Sequence, residues 1–281
     1  MLKSILLLLI AMSSIQYGAT LAKHVFPVLG AAGTSAMRLF FATIVLWIIF
    51  RPWRTKLGPG QLKKLALYGC SLGLMNLTFY YALARIPLGV AVALEFMGPL
   101  SVAIFTSKNR IDYIWAVLAG LGIYLLMPVS GTSDLDPIGV FFALLAGFFW
   151  ALYIIFGQKA GKDLAGGVAT AIGMGFAALM AIPAGVIAAG SNLLDFSLWP
   201  YGLGVAILSS ALPYSLEMFA LKKLPTKTFG VLMSLEPAIA AFAGLIFLSE
   251  ELTLLQCFAI MCVMISSLGS TLTVNKNLTP A

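Results

Sequence analysis

The sequence is poor in charge and nearly devoid of the residues that hold metals. Only 10% of its 281 residues are Asp, Glu, Lys or Arg, against about 25% in an ordinary soluble domain. There is one histidine, His24, and there are three cysteines, Cys70, Cys257 and Cys262, all inside apolar stretches. This leaves no HExxH motif and no ligand spacing, so neither a metal site nor a cofactor is expected, and the cysteines read as small packing residues. The stretch GQKAGKD from Gly157 has neither the spacing nor the Ser/Thr of a phosphate-binding loop, so ATP hydrolysis is not expected. These absences together argue against an enzyme. The net charge of +7 is spread over short connections and forms no basic stripe, which argues against a nucleic-acid partner.

What is present is hydrocarbon. Hydrophobic residues make up 61% of the chain and the mean hydropathy is +1.02, where a soluble domain carries roughly 45–50% apolar residues. Such a chain is dissolved in lipid. A span needs about 20 apolar residues at 1.5 Å rise each. Ten runs qualify: 4–22, 30–50, 64–83, 88–106, 112–129, 137–157, 166–188, 198–220, 228–248 and 252–273. The expected fold is an all-α integral membrane protein with short connections. The first run, behind Lys3 and ending in small residues at 18–22, resembles a secretory signal. Its pattern recurs later in the chain, so it is expected to be retained as a helix.

Basic residues collect on the cytoplasmic side of bacterial membrane proteins. With the N-terminus inside, the cytoplasmic connections hold Lys3, Arg51, Arg54, Lys56, Lys63, Lys64, Lys108, Arg110, Lys159, Lys162, Lys222, Lys223, Lys227 and Lys276, which is 14 of the 17 basic residues. Only Lys23 and Arg85 fall outside, and Arg38 lies within a span. Both termini are therefore expected in the cytoplasm.

The chain also repeats itself. Residues 82–95, ALARIPLGVAVALE, and 220–236, ALKKLPTKTFGVLMSLE, share a basic residue, Pro, Gly-Val and Leu-Glu. Pro87 matches Pro225, Gly89 matches Gly230, and Glu95 matches Glu236. Tyr17 and Lys23 recur as Tyr153 and Lys159 at a common offset of 136. With five spans per half, the second copy must enter the membrane upside down. Halves 1–130 and 131–281 related in this way are a recurring transporter architecture, with the site near the midplane.

A charge at mid-bilayer costs at least about 2.5–3.5 kcal/mol on insertion scales, so each one needs a reason. Glu95 is flanked by Ala91, Gly98 and Pro99, and Glu236 is followed by Pro237. Proline frees a carbonyl one turn earlier, and local irregularity beside a carboxylate suits a proton, an amine or a cation. The alternative is a carboxylate tying helices together. Glu217 shares a face with Ser210 and Tyr214, beside Pro213, and is either a third proton-coupling candidate or an interfacial partner of Lys222 or Lys223. Arg38 either binds a substrate carboxylate or satisfies groups at a helix interface. Gln16 and Tyr17, with Ser13 and Thr20, form one polar face of the first span. Asn76 and Tyr80, with Tyr81 alongside, form another in the third, and Trp150 and Tyr153 offer aromatic walls. All of these are candidates for a substrate cavity. His24 reads as interfacial.

The stretches SIQYGATLAK (14–23), IPLGVAVALEFMGPL (86–100), AILSSALPYSLEMFALKKLPTKTFGVLMSLEPA (206–238) and LGSTLT (268–273) resemble the EamA branch of the drug/metabolite transporter superfamily over essentially the whole chain. The resemblance implies two five-helix units, a central cavity, and proton-driven export of small amino acids such as threonine and homoserine from the bacterial inner membrane. The expected partners are thus an amino-acid substrate, protons and the bilayer. A same-fold exporter of an aromatic amino acid, drug or other metabolite, a passive channel, and a scaffold without transport stay open as alternatives. Small-residue faces suit packing within one chain as well as between chains.

Overall fold

The computed structural model describes residues 2–106, 111–126, 135–160, 164, 166–213, 216 and 232–273. Glu217, Tyr214, Pro225, Gly230 and most of the second repeat copy lie outside the described residues. Among those described, the chain is helical and contains no strand.

Helix α1, Leu2–Phe50, takes in the first two apolar runs. The expected connection at 23–29 is itself helical and contains Pro27; the chain turns instead at Gly30, with φ 65° and ψ 172°. Only glycine adopts that backbone at no steric cost, so the break falls there and divides α1 into legs 2–29 and 31–50. Helix α2 is Pro59–Leu83, opened by a proline and by the Gln61 side chain accepting the Gly58 N–H at 3.1 Å.

The fourth run forms α3, Leu88–Glu95, and α4, Met97–Thr106, separated at Phe96. Pro99 explains the interruption: it has no N–H to offer the Glu95 carbonyl one turn back. Helices α5, Asp112–Leu126, α6, Pro137–Ala160, and α7, Gly166–Ala189, follow. Helix α8, Trp199–Ala206, passes into a π-turn over Ile207–Ala211, and α9, Glu236–Leu248, and α10, Leu254–Thr273, complete the described chain. Among the described residues, four stretches are long and apolar enough to cross a membrane by themselves: Lys3–Phe50, Pro137–Ala160, Gly167–Leu194 and Leu254–Thr273.

Leg 31–50 packs on α7, α2 on α6 and α7, α3 on α9, α5 on α10, and α8 with its π-turn on α1. Lipid offers little hydrophobic gain for such contacts, so close backbone approach must hold them. Accordingly, a Cβ on Gly98 would stand 2.1 Å from the Gly147 carbonyl oxygen, and a Cβ on Gly147 would meet the Glu95 carbonyl at 2.8 Å. The carbonyl that Pro99 frees is thus where α6 comes nearest. Large apolar side chains face outward: Phe105, Val117, Ile187 and Leu254 are largely exposed, as a lipid-bathed surface requires.

Candidate functional site

Three prolines loosen the backbone around one point. Pro99 frees the Glu95 carbonyl, and Pro237 prevents the turn before α9 from continuing as regular helix, so Glu236 becomes the first residue of that helix. A carboxylate there is favoured by the helix dipole. Pro213 follows the π-turn, in which the Leu212 N–H bonds the Ile207 carbonyl. The carbonyls left over find side chains on α1: Ser14 Oγ donates to Leu208 O at 2.7 Å, and Arg38 Nη2 donates to Ser209 O at 2.9 Å. π-Turns inside helices often mark functional sites.

Arg38 is buried. Besides Ser209 O, its Nη2 reaches Ser210 Oγ at 3.3 Å, and its Nη1 donates to Tyr80 Oη at 3.4 Å. The guanidinium carbon sits 5.5 Å from the Tyr80 ring centroid, within cation–π range. Its Nε is buried with no hydrogen-bond partner among the described residues. Glu95 is buried within electrostatic reach of both Glu236 and Arg38. Glu236 Oε1 accepts from Gln16 Nε2 at 3.4 Å.

These groups line a cavity of about 210 Å³. Gln16, Arg38, Asn76, Glu95, Trp150, Tyr153 and Glu236 all face it, with Ser209 and the apolar Ile15, Met75, Phe79, Val92 and Met233. Asn76 is steadied by donation to Leu72 O at 2.8 Å, Trp150 stands edge-on to Phe96 at 5.6 Å, and Tyr153 stacks on Tyr68 at 5.0 Å. Tyr80 stands behind Arg38 and positions it. Tyr17 is placed elsewhere: 45% exposed, it packs on Phe247 and lines a separate outer groove of about 600 Å³ with Thr20 and His24. Adjacent helix positions lie 100° apart, so Gln16 turns inward where Tyr17 turns out. The sequence reading missed Ser209 and the apolar walls, whose residue types are those of any packed span; the proline at 213 was the available signal.

Among the described residues, two ion pairs stand apart from the cavity. Lys23 Nζ contacts Glu250 Oε1, while Glu250 Oε2 accepts the Leu88 N–H at 2.7 Å, so one carboxylate joins α1 to the first turn of α3. Arg85 Nη1 reaches Asp136 Oδ2 at 2.8 Å, and Asp136 Oδ1 caps α6 through the Ile138 N–H at 2.9 Å. The Arg85 hydrogen bond, then the Ile138 N–H, hold the Asp136 carboxyl below its usual range. Among the described residues no three of His, Cys, Asp and Glu converge as a metal site.

A solute-sized cavity lined by two buried carboxylates, a guanidinium and two amides, inside an apolar helical bundle, defines a polytopic membrane protein built around a polar site. The chain belongs to the EamA-like transporter family, whose sequence profile matches residues 137–272. It is 51% identical over 273 residues to the threonine/homoserine exporter RhtA of Escherichia coli (strain K12), covering 97% of this chain and 92% of that one. The RhtA of Salmonella typhimurium (strain LT2) matches to the same extent. An uncharacterized transporter of Bacillus subtilis (strain 168), YcbK, is 26% identical over 238 residues, or 78% of this chain and 76% of that one. One solved crystal structure, 13% identical, superimposes with a TM-score of 0.59 over 94% of this chain and 96% of its own, a likeness of fold alone.

Proposed function

We propose that this chain is a secondary transporter of the bacterial inner membrane that exports small hydroxylated amino acids, threonine and homoserine foremost, in exchange for protons. The observation that carries the reading is the convergence of Glu95, Glu236 and Arg38 on one buried cavity, in a chain 51% identical to RhtA proteins. With both glutamates ionised, two carboxylates and one guanidinium line the cavity, and burying the second negative charge is costly without a further positive charge. Either the substrate ammonium or a proton supplies it. Because both compete for the same carboxylates, loading of one releases the other, which is the coupling an antiporter needs. Arg38, held from behind by Tyr80 and the π-turn, lines the cavity and offers its guanidinium to the substrate carboxylate. At about 210 Å³ the cavity is below the roughly 300–1,000 Å³ of drug-sized sites, which favours a small amino acid over a drug or an aromatic substrate.

In this reading the chain crosses the membrane ten times. The legs of α1 count as two spans, α3 with α4 as one, and α8 with the π-turn as one. The halves 1–130 and 131–281 are inverted repeats, with both termini cytoplasmic. The helix packing supports this: α5 meets α10, leg 31–50 meets α7, and α3 meets α9. Each pair joins an element to its counterpart, as a two-fold axis between the halves requires. Alternating access then rocks one half against the other, with the Lys23–Glu250–Leu88 cluster fastening the outer end.

Overexpression in cells challenged with toxic threonine or homoserine analogues tests the cargo. Raised resistance is expected; sensitivity equal to that of the empty vector removes the cargo assignment. A flux independent of any pH gradient favours a channel instead.

A further inference from the structure

Gln16 is 1% exposed, and its two amide atoms have unequal fates. Nε2 is tethered to Glu236 Oε1, whereas Oε1 is buried with no hydrogen-bond partner among the described residues. A buried acceptor left without a donor is disfavoured, and native proteins retain one where something else completes it. The tether limits rotation of the amide, so its carbonyl oxygen is held in place. The donor-bearing residues that line the cavity with it, Arg38, Asn76, Trp150, Tyr153 and Ser209, leave this oxygen unbonded, and Ile15, Met75, Phe79, Val92 and Met233 carry no donor. A donor on an entering solute would complete it.

We infer that Gln16 is a specificity-determining residue whose Oε1 accepts a hydrogen bond from the side-chain hydroxyl of the transported amino acid. This rests on the cavity being the amino-acid site. Within that site the ammonium is drawn to Glu95 and Glu236, and the carboxylate to Arg38. The hydroxyl is the one remaining donor shared by threonine and homoserine. A site built to bond a hydroxyl discriminates strongly against an analogue that lacks it, because its polar group is then left unpaired. Valine has the shape of threonine without the donor, and O-methylthreonine keeps the oxygen but not the hydrogen. For one neutral acceptor, the expected preference for threonine over either is roughly 10- to 100-fold.

The test compares initial rates for threonine, homoserine, valine and O-methylthreonine in proteoliposomes of the full chain, wild type and Gln16→Leu. The wild type is expected to show the stated preference, and Gln16→Leu to bring the threonine-to-valine ratio close to one. A variant that keeps the wild-type ratio overturns the role of Gln16, as does a wild type that moves all four alike. Should Gln16→Leu fail to fold, Gln16→Met takes its place under the same expectation, and a wild-type threonine-to-valine ratio near one overturns the proposal by itself. A wild type that moves neither threonine nor homoserine overturns the transport reading itself, an outcome distinct from lost selectivity.

Discussion

Arg38 is held by the Ser209 carbonyl, the Ser210 hydroxyl and the Tyr80 ring and hydroxyl, and its Nε has no partner among the described residues. The arrangement uses the planar fork of a guanidinium; a lysine ammonium at the same place would reach fewer of these acceptors. Charge-assisted hydrogen bonds contribute about 1.5–3 kcal/mol each. Arg38→Lys is therefore expected to weaken threonine binding by about ten-fold or more, read as the Kd of the purified protein in detergent. An unchanged Kd would remove Arg38 from the substrate site. At this scale the cost of burying charge points to Glu95, Glu236, Glu217 and Arg38 in the sequence; the cavity contains three of them, and Glu217 lies outside the described residues. Helical spacing was less informative. It grouped Gln16 with Tyr17 and Thr20 across a broad arc, but which edge of that arc faces inward depends on where α8 and α9 pack.

Among the elements, proline and glycine cooperate. Pro99 and Pro213 each remove a donor, and the carbonyls they free lie against neighbours: Ser14 and Arg38 at the π-turn, and Gly147 of α6 at Glu95. Because a Cβ on Gly98 meets backbone in α6 that cannot easily yield, Gly98→Ala is expected to destabilise the protein by about 1–3 kcal/mol. Gly120→Ala, with nothing within 4 Å of the added Cβ, is expected to be neutral or to stabilise by up to about 1 kcal/mol. Thermal unfolding of the two variants side by side measures the difference; equal midpoints would refute the packing argument. The Lys23–Glu250–Leu88 cluster makes a second claim. Glu250→Gln keeps an oxygen for the Leu88 N–H and loses the ion pair, so export should slow several-fold. Adding Lys23→Gln should then cost little more, as coupled residues behave in a double-mutant cycle. Additive losses would show that the two act separately. Hydropathy located the apolar runs well. It placed the first bend in the 23–29 connection, because Lys23, His24 and Pro27 look like loop residues, whereas the backbone turns where φ becomes positive, at Gly30.

For the molecule as a whole, the proposed inverted arrangement rests on the distribution of basic residues and on the packing of α5 with α10, leg 31–50 with α7 and α3 with α9. Cysteine scanning checks it: in intact cells a membrane-impermeant maleimide should label a cysteine at Arg85 and spare one at Arg54 or Lys159. The reverse pattern would invert the topology, and labelling at all three would break it. Cavity volume and the neighbourhood of the carboxylates were not legible in the sequence, since both depend on how the two halves meet. The central claim is that Glu95 and Glu236 couple amino-acid export to protons. The most direct test is threonine flux in proteoliposomes under an imposed pH gradient, for the wild type, Glu95→Gln and Glu236→Gln. The account expects gradient-driven flux in the wild type and its loss in the glutamine variants; wild-type rates in both variants, or a flux indifferent to the gradient, would contradict it.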